Sequence, residues 1–177
     1  MPIGSNITLP HIAHWAEVLQ PKTVLDVGIG NGLNGAIIYN YATVLFKKMP
    51  VITGIEPWEK YRNPLWLVYD EILIQDLRAF EPKGTYDMIL MTDVIEHLEK
   101  PEGIRQLERY KEMVAKDGVF IVSTPSIFIE QGAFRGNAYE THRSLWLAAD
   151  FKARRFRKIA GPEDHEHAMH VYRWRNL

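Results

Sequence analysis

The chain has 177 residues, of which 46% are hydrophobic and 24% are charged, and its formal net charge at pH 7 is −1. This size and composition predict one folded domain over residues 1–177. The balanced charge argues against nucleic acid as a partner, and the absence of cysteine excludes disulfides, thiolate metal sites and a cysteine nucleophile. Because we find neither a secretory signal nor a run of about 20 apolar residues, we expect a cytoplasmic protein with no membrane contact.

The first two-thirds of the chain alternates predicted helices and strands. A helix over residues 10–20 starts at Pro10 and has an apolar stripe ending at Leu19, and we expect it to act as a lid or cover. Further helical patterns cover 33–44, 58–69 with a break at Pro64, and 104–114, closing at Asp117-Gly118. The predicted strands are residues 23–27, 51–55, 71–75, 86–91 and 119–122. This alternation favours parallel βαβ units with right-handed crossovers.

The pattern changes after Pro125. A long polar loop runs to His142 and a short helix follows near residues 145–151. Two further strands, 155–159 and 168–174, are too close in sequence for a crossover helix and should form an antiparallel hairpin. The whole chain therefore predicts an α/β, doubly wound, Rossmann-like sheet of seven strands, mostly parallel with a C-terminal antiparallel hairpin.

A glycine-rich loop, Asp26-Val27-Gly28-Ile29-Gly30-Asn31-Gly32, lies between the first predicted strand and the next helix. Glycine lets the backbone turn sharply and approach a ligand without a Cβ in the way. The dinucleotide-binding fingerprint would place its third glycine at position 33, which is a leucine here. The spacing therefore disfavours a nicotinamide-dependent oxidoreductase.

The D-x-G-x-G-x-G pattern resembles the S-adenosylmethionine loop of class I methyltransferases, of the small-molecule type similar to methyltransferase types 11 and 23. The resemblance implies S-adenosylmethionine as the cofactor. It places Glu56 at the ribose hydroxyls, Asp76 at the adenine amino group and Asp26 at the amino-acid end, and Trp58 could cover the adenine or ribose. The full set of expected cofactor-binding residues is Asp26, Gly28, Gly30, Gly32, Glu56, Trp58, Asp76, Leu77 and Asp93.

A second motif, Thr92-Asp93-Val94-Ile95-Glu96-His97-Leu98, follows the fourth predicted strand and resembles the D-V-x-E-H-L signature of many small methyltransferases. We expect His97 and His142 to be catalytic, with His97 as a candidate general base. If the segment is helical, Asp93, Glu96 and His97 share one face. They could then ligate a divalent ion, as the similar E-x-x-E-H group does in some ubiquinone-pathway O-methyltransferases. We favour acids that cap the helix, and no metal.

The acceptor is expected to be a small molecule, with transfer to oxygen favoured and nitrogen or carbon open. The Asn-Pro-Pro-aromatic signature for amino groups of bases is absent. The late loop either covers the acceptor or is a solvated connector. In the first case we expect its residues Gln131, Asn137, His142 and Arg143 to face the substrate. His165, His167 and His170 have metal-like spacing, but a solvated hairpin turn is favoured there. The alternative function is a sensor or partner subunit that binds the cofactor or its product without turnover, and the sequence predicts no oligomeric state.

Overall fold

The computed structural model describes residues 6–161 and 169–177. Four α-helices and seven strands alternate with short 3₁₀ helices along these residues. In chain order the helices and strands are α1 (Leu9–Leu19), β1 (Thr23–Val27), α2 (Leu33–Leu45), β2 (Val51–Ile55), β3 (Glu71–Leu73), β4 (Tyr86–Thr92), α3 (Lys100–Glu112), β5 (Val114–Pro125), α4 (Ala148–Lys152), β6 (Arg157–Ala160) and β7 (Met169–Arg175). The 3₁₀ helices are Glu59–Tyr61, Pro64–Val68, Leu77–Ala79, Ile95–His97 and Ala138–Glu140.

All seven strands form one sheet in the order β3-β2-β1-β4-β5-β7-β6. The pairs among β1 to β5 are parallel, whereas β7 is antiparallel to both β5 and β6. The doubly wound seven-stranded sheet with an antiparallel C-terminal hairpin is therefore confirmed. Because the parallel strands point the same way, the carboxyl ends of β1, β2 and β4 meet at one edge.

Two predicted elements differ from the structure. The segment 58–69 contains no α-helix but two 3₁₀ helices on either side of Asn63, as expected from the proline at position 64. The predicted helix over 104–114 ends earlier, at Glu112, and Val114 already pairs with Tyr86 as the first residue of β5. The register of β5 then shifts before Val119, so residues between the two paired positions bulge out of the ladder.

Apolar layers cover both faces of the sheet. Alternate residues of each buried strand point to opposite faces, so Val24 and Leu25 of β1 belong to different layers. One layer contains α1 and α2, and the buried residues of α1 are Ile12, Trp15 and Ala16. The other contains α3 and the late-chain Trp146, which is completely buried. Among the described residues, no helix has the length and apolar character needed to cross a membrane.

Gly103 of α3 provides a test of how the late chain packs on this second layer. A Cβ at position 103 would lie 2.4 Å from an indole carbon of Trp146. Displacing a buried indole costs more than the gain in helix propensity, so Gly103→Ala should lower the free energy of unfolding by about 1–2 kcal/mol. Denaturant unfolding measures this change. The control is Gly84→Ala, where a Cβ meets nothing within 4 Å and stability should not fall; equal stability of the two variants would contradict the packing.

Candidate active site

A cavity of about 500 Å³ lies at the sheet edge where β1, β2 and β4 end. The loops after these strands and the segment between β5 and α4 all contribute lining residues. Of the eleven residues expected to bind the cofactor or to be catalytic, seven line the cavity: Gly28, Gly30, Glu56, Asp76, Leu77, Asp93 and His97. The other four, Asp26, Gly32, Trp58 and His142, are not among its lining residues. The structure therefore brings most of the expected residues together at one cavity.

The glycine loop needs glycine for two separate reasons. Gly28, Gly30 and Gly32 all have positive φ angles, of 75°, 50° and 85°, in the left-handed region that other residues rarely adopt. At Gly28 a Cβ would also lie 2.4 Å from Cγ2 of Val94, on the loop after β4. The chain can therefore turn from β1 into α2, which Gly32 precedes as the N-cap residue, only if these side chains are absent.

The Glu56 carboxylate connects two loops of the cavity wall. Its Oε2 accepts a hydrogen bond from the N–H of Gly30 at 3.0 Å, and its Oε1 accepts one from the N–H of Trp58 at 2.9 Å. Burial raises the pKa of Glu56 to about 7, and the two N–H donors only partly oppose this effect. This group therefore changes charge near neutral pH.

Asp26 lies at the end of β1 and is completely buried. The Tyr69 hydroxyl donates to its Oδ2 at 2.7 Å, and Nδ2 of Asn34 lies 3.3 Å from its Oδ1. Burial raises the pKa of Asp26 to about 6, although both hydrogen bonds favour the ionised form. Sequence reasoning missed Tyr69 and Asn34, because neither belongs to a motif and the tyrosine is 43 residues from Asp26.

Asp76 and Leu77 lie beside the end of β3, where a 3₁₀ helix begins. The carboxylate of Asp76 caps this helix by accepting from the N–H of Arg78 at 2.8 Å, and its Oδ2 accepts from Nη2 of the same arginine at 2.5 Å. These hydrogen bonds hold the pKa of Asp76 below its usual range despite partial burial. Asp76 is therefore an ionised, oriented acceptor at one end of the cavity.

The motif after β4 does not form the α-helix that would place Asp93, Glu96 and His97 on one face. Only Ile95–His97 are helical, in a 3₁₀ turn. Asp93 has a φ of 55°, and its Oδ1 accepts from Oγ of Ser123 at 2.6 Å. The alternative in which these three side chains bind an ion from one helical face therefore lacks the helix that it requires.

His97 and His142 come together although 45 positions separate them. Their ring centroids are 4.9 Å apart. Nδ1 of His97 donates to the carbonyl of Thr141 at 3.2 Å, and Nδ1 of His142 donates to the carbonyl of Ile129 at 2.7 Å. A carbonyl can only accept, so in each neutral ring the lone pair is on Nε2. Burial, with a smaller effect of His142, lowers the pKa of His97 to about 4, and the ring is neutral at pH 7.

The late segment, residues 126–147, lines the cavity with Asn137, Ala138, Tyr139, Glu140 and Arg143. Oη of Tyr61 donates to Oε1 of Glu140 at 2.6 Å, and Nδ2 of Asn137 donates to Oη of Tyr61 at 3.1 Å. Asn137 and Arg143 were expected to face this space, whereas Gln131 is not among its lining residues. Tyr61 was missed, since no motif marks a contact across 79 residues.

Two further predictions concern residues away from the cavity. The Trp58 side chain contacts Lys60, whose Nζ lies 5.0 Å from the ring centroid, and only its backbone N–H reaches Glu56. Of the histidines near the hairpin, His165 and His167 lie outside the described residues. His170 is buried with Nδ1 3.0 Å from Oη of Tyr172.

A sequence model described as a methyltransferase domain matches residues 9–177. The chain is 30% identical over 112 residues to (S)-coclaurine N-methyltransferase of Thalictrum flavum subsp. glaucum, covering 60% of this chain and 30% of that protein. It is 29% identical over 109 residues to the ubiquinone biosynthesis O-methyltransferase of Paraburkholderia xenovorans, covering 60% of this chain and 45% of that protein. The chain thus spans less than half the length of either relative.

The fold is also similar to that of the N-methyltransferase NodS from Bradyrhizobium japonicum WM9, whose crystal structure contains S-adenosylhomocysteine. The TM-score is 0.63 at 10% identity, and the match covers 95% of this chain and 85% of NodS. The methyltransferase family uses S-adenosylmethionine as its methyl donor. On the match over residues 9–177, which is nearly the whole chain, this protein belongs to the methyltransferase family.

Proposed function

We propose that this protein transfers a methyl group from S-adenosylmethionine to a hydroxyl oxygen of a small molecule, in the cytoplasm and without a nucleic-acid partner. One observation carries the proposal. The same cavity is lined by the glycine loop with Glu56 at one side and by the neutral imidazole of His97 at another. A methyl donor bound by the glycine loop and Glu56 would therefore share the cavity with a proton acceptor, His97.

The donor would occupy the edge formed by the loops after β1, β2 and β3. Each Glu56 oxygen already accepts one backbone N–H and can accept one more donor, so the pair suits the two ribose hydroxyls. Trp58 contributes through the N–H that orients this carboxylate. Asp76 and the backbone of Leu77 would bind the adenine.

The amino-acid end of the donor would lie over the glycine loop. Asp26 would act there through Asn34, which donates to it and lines the cavity. Asp93 lines the same part of the cavity, and its carboxylate is oriented by the Ser123 hydroxyl. The glycines themselves let the backbone approach the donor closely. This arrangement leaves the late segment free to contact the acceptor.

Methyl transfer depends mainly on positioning the acceptor oxygen against the methyl group, and secondly on a weak base that takes its proton. The acceptor oxygen forms a bond to the methyl carbon as the carbon–sulfur bond breaks, and S-adenosylhomocysteine leaves with the electron pair on sulfur. The oxygen becomes strongly acidic as the new bond forms, so even a weakly basic imidazole can take its proton on Nε2. His142 packs against the His97 ring and would keep it oriented. A neutral amine acceptor has a free lone pair and depends less on this base.

Our prediction for the donor site concerns the pH dependence of S-adenosylhomocysteine binding. Ribose hydroxyls stabilise the ionised carboxylate, so binding should lower the pKa of Glu56 from its value of about 7. Affinity should therefore be full above pH 7 and should fall below it, by at most about tenfold per pH unit. Calorimetric titration from pH 8 to pH 6 measures this.

The matched variants for this experiment are two acids of the same loop. Glu56→Gln should bind roughly tenfold more weakly at pH 8 and should lose the decrease centred near pH 7. The remaining decrease should follow Asp26, whose pKa is about 6. Glu59→Gln, at an exposed position, should behave as wild type. An unchanged affinity and pH profile in Glu56→Gln would contradict the proposed donor site.

For the chemical step we predict that His97→Ala loses about 10²–10⁴-fold in transfer to hydroxyl acceptors while its affinity for S-adenosylhomocysteine is retained. Transfer from labelled donor to a panel of phenols, alcohols and amines measures the rate. The control is His14→Ala on α1, which should match wild type. Transfer to amines but to no hydroxyl compound would refute the oxygen assignment. Binding without transfer to any acceptor would favour a sensor or partner subunit.

A further inference from the structure

Three metal-binding side chains meet beside the cavity. Glu96, His97 and His142 each offer one ligand atom, and these atoms all lie within 4.8 Å of one another. Two of the residues follow β4 directly, and the third comes from the late segment. The backbone already joins these regions, because the carbonyl of Glu96 accepts from the N–H groups of Arg143 and Ser144 at 2.8 and 3.1 Å. The fold therefore brings the three residues together, and small side-chain movements would complete the coordination of an ion.

The Glu96 carboxylate lacks a partner that its burial calls for. The residue is 3% exposed, and its Oε2 makes no hydrogen bond of good geometry among the described residues, although the Thr124 side chain lies near the carboxyl group. Leaving a buried acceptor unpaired is unfavourable, and more so when the group is charged. A cation at Oε2 would satisfy the oxygen and favour the ionised carboxylate.

Both histidines are oriented as metal ligands usually are. A ligating histidine binds the ion through one ring nitrogen and donates the other N–H to a carbonyl or carboxylate, which fixes the tautomer. His97 donates to Thr141 and His142 donates to Ile129, in both cases through Nδ1. In this tautomer the Nε2 lone pair of each ring is available to an ion.

We propose that Glu96, His97 and His142 form a binding site for one divalent transition-metal ion of the zinc class. Two imidazoles and one carboxylate suit zinc, cobalt or manganese, whereas magnesium and calcium prefer oxygen ligands alone. Asp93 takes no part, because it is turned toward Ser123. The ion would fasten the late segment to the end of β4. The Nε2 lone pair of His97 cannot bind an ion and accept a proton at the same time. Proton acceptance by His97 would therefore occur only in the ion-free protein.

The test is Co²⁺ binding by the protein without cofactor or acceptor, followed by its visible absorption and by calorimetry. Wild type should bind one Co²⁺, which Zn²⁺ displaces and equimolar Mg²⁺ does not. His142→Ala and Glu96→Gln should each lower the affinity by at least roughly tenfold. His14→Ala should bind as wild type. Zn²⁺ should also raise the melting temperature of wild type but not of His142→Ala.

Several results would overturn the site. One is the absence of Co²⁺ binding by wild type. Another is an undiminished Co²⁺ affinity in both His142→Ala and Glu96→Gln, because the ion would then be bound by other residues. Circular dichroism in chelator confirms that each variant folds, and the partly exposed His142 is the safer of the two positions. This experiment uses neither methyl donor nor acceptor. A negative result would therefore leave the methyl-transfer proposal standing, and a failure of methyl transfer would leave the metal site standing.

Discussion

The arrangement of the cavity depends on one buried carboxylate at the end of β2. Glu56 accepts from the backbone of Gly30 and of Trp58, so it joins the loop after β1 to the loop after β2. Burying an ionised group is costly, and two N–H donors offset only part of that cost, which is why the pKa rises to about 7. The same group that shapes the cavity therefore also controls its charge near neutral pH.

Two neighbouring acids add to the effect of burial on the pKa of Glu56. Glu56 feels the charges of Glu140 and Asp26, and each of these raises its pKa further. Such a surplus of negative charge is unfavourable for the protein alone but favourable toward a cationic ligand. The proposed donor carries a sulfonium and an ammonium group, whereas its product has lost the sulfonium charge. We infer that the acids favour binding of the donor over retention of the product.

Local patterns predicted the parts of the structure that local forces determine. The glycine loop and Glu56 were identified because each directly follows a strand, and parallel strands bring their ends to one edge. Val114 was misassigned because its state is fixed by pairing with Tyr86, 28 positions away. Asp93 lies outside the 3₁₀ turn of its motif and accepts a hydrogen bond from Ser123, 30 positions away. Contacts between residues about 30 positions apart produce no periodic pattern in the sequence from which they could be predicted.

The late segment, residues 126–147, was the hardest part of the cavity lining to predict. It is attached to the motif after β4 by hydrogen bonds. Ser144 donates to the carbonyl of Leu98 at 2.7 Å, and the indole N–H of Trp146 lies 3.2 Å from the carbonyl of Ile95. These partners are backbone atoms, so they place no demand on side-chain identity in the β4 motif. Residues that line the cavity also attach the segment, because Asn137 binds the Tyr61 hydroxyl and Arg143 donates to the carbonyl of His97. Tyr139 also lines the cavity but is 44% exposed, so its substitution would change the cavity wall while the anchors at Ser144 and Trp146 remain in place.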